Sequence, residues 1–212
     1  MYRGLVFAAA ERVFAARGFD GAAMQEIAAE AGISLKTLYA TFSGKDEIYR
    51  AILEERRQEF LRFVAGAVRA EGEVVDRMRD GVRAYVDFLL AHRPYLAIQL
   101  REGRGWGLDP ADESRGVWQS GLELQAALVR AGQAEGVFVD GDPELMAATA
   151  IAIMQVQLAG LVDRAKEPDG ATISEAIVRE LTRYLCRPES LVATASGTAK
   201  RDVAGKRSGA RR

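Results

Sequence analysis

The chain of 212 residues is 49% hydrophobic and 28% charged, a soluble globular balance with room for one large domain or for a small domain joined to a larger one. Its formal net charge of -1 excludes a protein-wide field that would draw it to nucleic acid, so affinity for DNA has to come from a local patch and from helix ends. One cysteine, Cys186, excludes an intrachain disulfide and a multi-cysteine metal site, which fits a reduced cytoplasm.

The N-terminal stretch has a helical period. Leu5, Val6, Ala9, Ala10, Val13 and Phe14 recur at three and four, which predicts a half-buried helix over about Arg3 to Arg17. Glu11 and Arg12 break its apolar run, so it does not read as a signal peptide. Gly18 ends the pattern, and Phe19 is expected to tuck into the same small core. Charges over residues 1–50 roughly balance, so this part of the chain offers no basic patch.

Met24 to Lys45 holds two short helical patterns on either side of Ala31-Gly32-Ile33. In the first, Ile27 and Ala28 face inward, with Glu26 and Glu30 outside. In the second, Leu38 and Phe42 share one face. Gly32 suits a C-terminal cap, because glycine accepts the left-handed conformation, and Ser34 suits the N-cap of the next helix. Helix, glycine-containing turn, helix is the arrangement that lays a second helix in the DNA major groove. On spacing alone, a plain three-helix core with solvated charges remains open.

From Leu5 to Arg50 the sequence resembles the DNA-binding domain of the TetR family of bacterial transcriptional regulators. The residues that carry the likeness are Ala9, Phe14, Arg17-Gly18-Phe19, Ile27-Ala28, Ala31-Gly32-Ile33-Ser34, Thr37-Leu38-Tyr39, Phe42 and Lys45-Asp46-Glu47. The resemblance implies that Leu35, Lys36 and Ala40 lie at base edges, and that Ser34, Thr37, Tyr39, Thr41 and Lys45 lie at phosphates. Ala22 and Ala23 depart from the family, many of whose members carry a capping Thr or Ser there. Only backbone N–H groups are then left to meet a phosphate at that helix start. The usual basic extension before the first helix is reduced to Arg3 and the amino terminus.

A long helical pattern runs from Gly44 to about Ala70. Ile48, Ile52, Phe60, Phe63, Val64 and Ala67 form its apolar face, and Glu54, Glu55, Arg56, Arg57 and Glu59 its solvated one. The next helix, Val74 to Ala91, buries Val75, Met78, Val82, Tyr85, Val86 and Leu89. His92-Arg93-Pro94 stops it, because proline disfavours a helical residue before it. His92, the only histidine, reads as a cap or surface residue. A short helix is expected over Tyr95 to Glu102, then a glycine-rich loop in which Arg104 and Trp106 are candidate gate residues. That loop follows a helix and lacks Gly-Lys-Ser/Thr, so it is not a nucleotide site.

Further helices are predicted over Glu113 to Glu135, with Val117, Trp118, Leu124, Leu128 and Val129 inside, and from Asp142-Pro143 to about residue 163. The second is uncharged from Leu145 to Val162. It is marginally long enough to span a membrane, but its alanines, Thr149, Gln155 and Gln157, and the lack of aromatic flanks, favour a helix buried on two sides. The last helix, Ser174 to Arg187, puts Ile177, Leu181, Tyr184 and Leu185 on one face. After Pro188 the chain reads as a disordered basic tail, a solvated terminus with DNA backbone as its alternative contact.

The expected fold is all-α: a helix-turn-helix domain over 1–47, a helical ligand-binding and dimerisation domain over 48–187 and a tail over 188–212. With one histidine and one cysteine far apart, no catalytic triad, metal cluster or cofactor site is predicted. Phe63, Tyr85, Phe88, Trp118, Gln125, Met154 and Gln155 are candidate linings of an apolar pocket with a few orienting polar groups. The family resemblance implies a small organic ligand there. The apolar surplus of the last two long helices predicts a homodimer, with Leu158 and Leu181 as interface residues and an inverted-repeat operator. The expected function is a cytoplasmic, sequence-specific repressor of transcription released from double-stranded DNA by that ligand. A helical module that binds only another protein is the alternative.

Overall fold

The computed structural model describes residues 2–69, 71–102, 115–164 and 169–190. Nine helices lie among them: α1 (Tyr2–Gly21), α2 (Met24–Glu30), α3 (Leu35–Tyr39), α4 (Lys45–Ala67), α5 (Val74–Ala91), α6 (Arg93–Glu102), α7 (Arg115–Ala134), α8 (Pro143–Arg164) and α9 (Gly170–Leu185). The fold is all-α, a helix-turn-helix unit on a larger helical body, as the periodicity predicts. The expected gate residues Arg104 and Trp106, and the tail from residue 191, lie outside the described residues.

Two apolar cores form. The first gathers Val6, Phe7, Val13 and Phe14 from α1, Ile27 and Ala28 from α2, Leu38 from α3, Phe42, then Ile48 and Ile52 from α4. It also takes in Ile98 from α6. The second core is built from α5, α7, α8 and α9 around Met78, Val86, Val129, Leu158, Ile177 and Leu181. The single long helix α4 runs from one core to the other, with Ile52 in the first and Leu53 packed against the second.

Local signals set the element ends. Gly18 has φ of 76°, so regular helix stops there, although one more turn follows to Gly21. That turn brings Phe19 onto Phe14 and Tyr49, with ring centroids 5.9 and 5.1 Å away. Leu5, expected in the buried stripe, is exposed; Phe7 takes the inward position instead. His92 leaves helical geometry and ends α5, and α6 restarts at once at Arg93, one residue before the proline. A proline this early in a helix needs no N–H partner. α9 starts four residues before the predicted Ser174, because Asp169 caps it by accepting from Ala171 and Thr172 N–H at 3.2 and 3.1 Å.

The apolar helix α8 is long and apolar enough to cross a membrane by length and composition, yet here it packs between α7 and α9. The sequence predicts burial on two sides, and the chain covers one. Met146, Ala150, Met154 and Leu158 face inward, while Leu145 and Val156 stand open on the other side.

Candidate DNA-binding surface and ligand cavity

The turn between α2 and α3 is built as its residues dictate. Gly32 has φ of 67°, and its N–H donates to Ala29 O while Ile33 N–H donates to Ala28 O, both at about 3 Å, closing α2 with a left-handed cap. Ser34 then accepts from Thr37 N–H at 3.0 Å and opens α3. Leu38, wholly buried, fixes which face of α3 turns in. Lys36, Tyr39 and Ala40 are left outside, with Tyr39 51% exposed. Leu35, predicted at a base edge, is half-buried against the first core.

The hydroxyls expected at phosphates are engaged within the unit. Ser34 Oγ and Thr37 Oγ1 are 2.7 Å apart, and Thr41 Oγ1 donates to Thr37 O at 3.3 Å. Lys45 departs further from its expected role. Its ammonium donates to the carbonyls of Phe19, Asp20 and Ala22 at 2.8, 3.0 and 3.2 Å and lies 4.8 Å from the Phe19 ring centroid. These carbonyls lie just after the break at Gly18, and an ammonium with three N–H groups can meet all three. In this conformation Lys45 faces the protein rather than the solvent in front of α3.

Two helix starts that would otherwise greet an anion carry acids. At α2, Glu26 reaches back to Ala23 N–H at 3.3 Å and lies 3.4 Å from Arg17. It supplies the cap that Ala22 and Ala23 lack. At α4, Glu47 accepts from both the N–H and the hydroxyl of Ser43 at 2.7 and 2.8 Å, which holds its carboxyl below the usual carboxylate range.

A polar chain ties the helix-turn-helix unit to the body. Arg56, expected on the solvated face of α4, turns inward and forms a two-pronged pair with the buried Glu11 of α1, at 2.6 and 2.9 Å. Its third contact is Glu59 at 2.5 Å. These bonds push the Arg56 guanidinium further up, Glu11 contributing most. Glu59 in turn faces His92 Nε2 at 3.3 Å, and His92 Nδ1 donates to Phe88 O at 2.8 Å. The only histidine is thus the cap of α5, as read from the sequence. Nothing in the spacing revealed the Glu11–Arg56 pair; the available hint was an acid one position from Ala10 on an otherwise apolar stripe.

Between α4, α5, α6, α7 and α8 lies an elongated cavity of about 530 Å³. It runs beside α4 from Arg57 to the helix end at Ala67, a rise of about 15 Å at about 1.5 Å per residue, and on to Val68 and Arg69. Phe60, Val64, Met78, Leu96, Leu128 and Ile151 make most of the wall apolar. Tyr85, Tyr95, Gln99, Gln125 and Gln155 supply the uncharged polar groups. Desolvation raises both phenols, Tyr95 to about 12, so they enter any contact as neutral donors. Size and lining match those of a small-molecule site.

Five of the seven predicted lining residues, Tyr85, Phe88, Gln125, Met154 and Gln155, are brought together here. Phe63 is not among them. It lies on the outer side of α4, 44% exposed, with its ring 6.0 Å from Phe88. The side chain of Trp118 lies outside those described. The predicted interface residues need correction. Leu158 is 1% exposed and lines the cavity, and Leu181 is wholly buried in the second core, so neither has surface to give a partner. Leu124, expected inside α7, stands half open at the cavity edge. The three arginines on the wall, Arg57, Arg69 and Arg77, were not anticipated.

Known proteins share this architecture. The sequence profile of the bacterial regulatory proteins of the tetR family matches residues 6–52. The chain is 39% identical over 87 residues to the HTH-type transcriptional activator FasR of Mycolicibacterium smegmatis, a match covering 41% of this chain and 40% of FasR. It therefore spans about two fifths of that relative's length. It is 29% identical over 140 residues to the HTH-type transcriptional repressor SCO4008 of Streptomyces coelicolor, covering 65% and 68% of the two chains. The crystal structure of AibR in complex with isovaleryl coenzyme A and operator DNA superposes with a TM-score of 0.68 at 20% identity, covering 86% of this chain and 98% of that one. With the helix-turn-helix geometry in register with that profile, residues 6–52 form a DNA-binding domain of the tetR family of bacterial regulatory proteins, on a helical body that shares the fold of these regulators.

Proposed function

We propose that this protein is a homodimeric, ligand-responsive repressor that binds an inverted-repeat operator through α3 and releases it when a small organic molecule fills the cavity. One observation carries the reading: α6 belongs to both places. Leu96, Gln99 and Leu100 line the cavity, Ile98 sits in the helix-turn-helix core, and Arg101 donates to Ala15 O of α1 at 3.0 Å. A ligand that displaces α6 displaces α1 with it, while α4 carries the same shift through Arg56 and Glu11. A tenfold loss of operator affinity requires about 1.4 kcal/mol of differential binding between the two conformations.

In this reading Lys36 and Tyr39 meet the major groove, with Lys36 donating to guanine O6 or N7. Lys45 acts by holding the end of α1 in place. The dimer forms through α8 and α9, with the open stripe of Leu145, Ala148 and Val156 at its centre, and sets two α3 helices about 34–36 Å apart. The test is a titration of the protein onto duplexes from the gene's own upstream region, at several salt concentrations and with a randomised operator pool. Salt-dependent binding, whose base preference shifts in Lys36→Ala, is the expected result. Absence of salt-dependent binding to any duplex refutes the proposal and favours a module that binds only protein.

A further inference from the structure

Three arginines reach the cavity wall, and two are already neutralised. Arg57 is paired with Glu54. Arg69 closes on Asp80 at 2.5 Å, with Asp76 at 3.7 Å. Arg77 differs. Its Nε is shielded from solvent and meets no acceptor, and no described carboxylate pairs with its guanidinium. The two acids closest to it in sequence on α5 are committed elsewhere, Asp76 to Arg79 at 2.6 Å and Asp80 to Arg69. Arg77 therefore brings one uncompensated positive charge to the end of the cavity formed by the last turns of α4 and the first turns of α5. A buried polar atom without a partner is costly, and Nε of the half-buried Arg77 side chain is such an atom. Such groups mark places where a ligand completes the hydrogen bonding.

We propose that the cavity takes an amphipathic molecule with a single terminal carboxylate, held by Arg77, whose apolar body lies along α4 towards Arg57. The inference rests on reading the cavity as a ligand site. The head group is an oxyanion because a guanidinium presents planar N–H donors that match one. It is a carboxylate rather than a phosphate monoester because Arg77 supplies one unmatched charge, and a phosphate monoester brings nearly two negative charges into an otherwise apolar space. The elongated, apolar wall selects an extended chain over a compact polar ligand.

The probes are decanoate, decyl phosphate and decanol, measured by displacement of a neutral solvatochromic dye from the full-length protein. Decanoate should compete at least about tenfold better than decanol and better than decyl phosphate. Arg77→Gln should bring decanoate down to the level of decanol and leave decanol unchanged, whereas Arg77→Lys, which keeps the charge, should retain part of the preference. Equal competition by decanoate and decanol, or competition by neither, overturns the assignment without recourse to any variant. So does a preference that survives in Arg77→Gln, and decyl phosphate competing best replaces the carboxylate by a dianion. An operator titration separates this from the inducer reading. Decanoate that binds through Arg77 without changing DNA affinity leaves the head-group assignment standing and ends the inducer model. Decanol that matches decanoate in binding and weakens DNA affinity does the reverse.

Discussion

Glu11 and Arg56 offer a sharp test of how the helix-turn-helix unit is held. Glu11 retains 6% of its side-chain exposure and Arg56 20%, and two N–H···O bonds of 2.6 and 2.9 Å join them. Removing one partner of a buried pair costs about 3–5 kcal/mol, because the survivor is stranded without its counter-charge. In Glu11→Leu, Arg56 still has Glu59 and a fifth of its surface in water. We therefore expect the lower part of that range or slightly less, about 2–3 kcal/mol. Arg56→Met strands the more deeply buried Glu11 and should cost about 3–5 kcal/mol. The double variant places two apolar side chains of similar length in the gap and should recover to within about 1 kcal/mol of wild type, since an apolar replacement of a buried pair is often neutral. Urea unfolding followed by circular dichroism at fixed protein concentration measures all four corners of the cycle. In thermal unfolding the single variants should lose roughly 2–4 °C per kcal/mol for a chain of this size. If the two single costs simply add in the double variant, the pair does not act as a unit and the clamp between α1 and α4 does not exist.

Gly121 lines the cavity, and a Cβ built on it meets nothing within 4 Å, so Gly121→Ala should stabilise the protein by about 0.5–1 kcal/mol through helix propensity alone. Gly121→Leu should instead occupy part of the cavity and abolish uptake of an apolar dye. Val156, 64% exposed on the open stripe of α8, is the residue for testing self-association: Val156→Glu should sediment as a folded monomer, whereas Leu158→Glu should unfold the body. Acid should destabilise the protein. Hydrogen bonds hold Asp80 (from Arg69), Asp142 (from Leu145 N–H) and Asp169 (from Thr172) below the usual carboxylate range. Each contributes stability that is full above the unfolded value and is lost as pH falls through the folded one. Melting temperature should decline from the ordinary carboxylate range downwards, and Asp80→Asn should flatten that decline.

The elements of the first core were legible because their signals are local. Gly32 and Ser34 specify a cap and an N-cap through their own backbone and hydroxyl, and Leu38 with Phe42 marks one face. The cavity was legible in outline, since aromatic and amide residues on half-buried stripes are unusual in a dry core, and Tyr85, Gln125 and Gln155 converge as expected. Failures came where a side chain's destination depends on another helix. Leu158 and Leu181 are as apolar as Val156, and only the packing of α7 and α9 decides which face of α8 is left open. Arg56 has the sequence context of a solvated charge, and its partner lies on α1, distant in the chain. Lys45 matches a DNA-contacting position of the family, yet the carbonyls that accept its N–H groups follow the break at Gly18, where the sequence marks only a helix end. Phe63 shares its helical stripe with Phe60, yet α5 covers one ring more than the other.

The position of Ile98 bears on what can be exchanged between relatives. This residue is 1% exposed and belongs to the core of the helix-turn-helix unit, though it lies far beyond residue 52, where the match to the tetR profile ends. A chimera that grafts residues 1–52 onto a foreign body would leave a hole in that core where Ile98 belongs unless the new body supplies a residue of matching shape. The exchangeable module is therefore discontinuous, residues 1–52 together with α6. Operator specificity could be transplanted with both segments, and the cavity wall contributed by Leu96 and Gln99 would travel with them. In this chain the helix-turn-helix unit cannot be swapped without also changing the cavity wall.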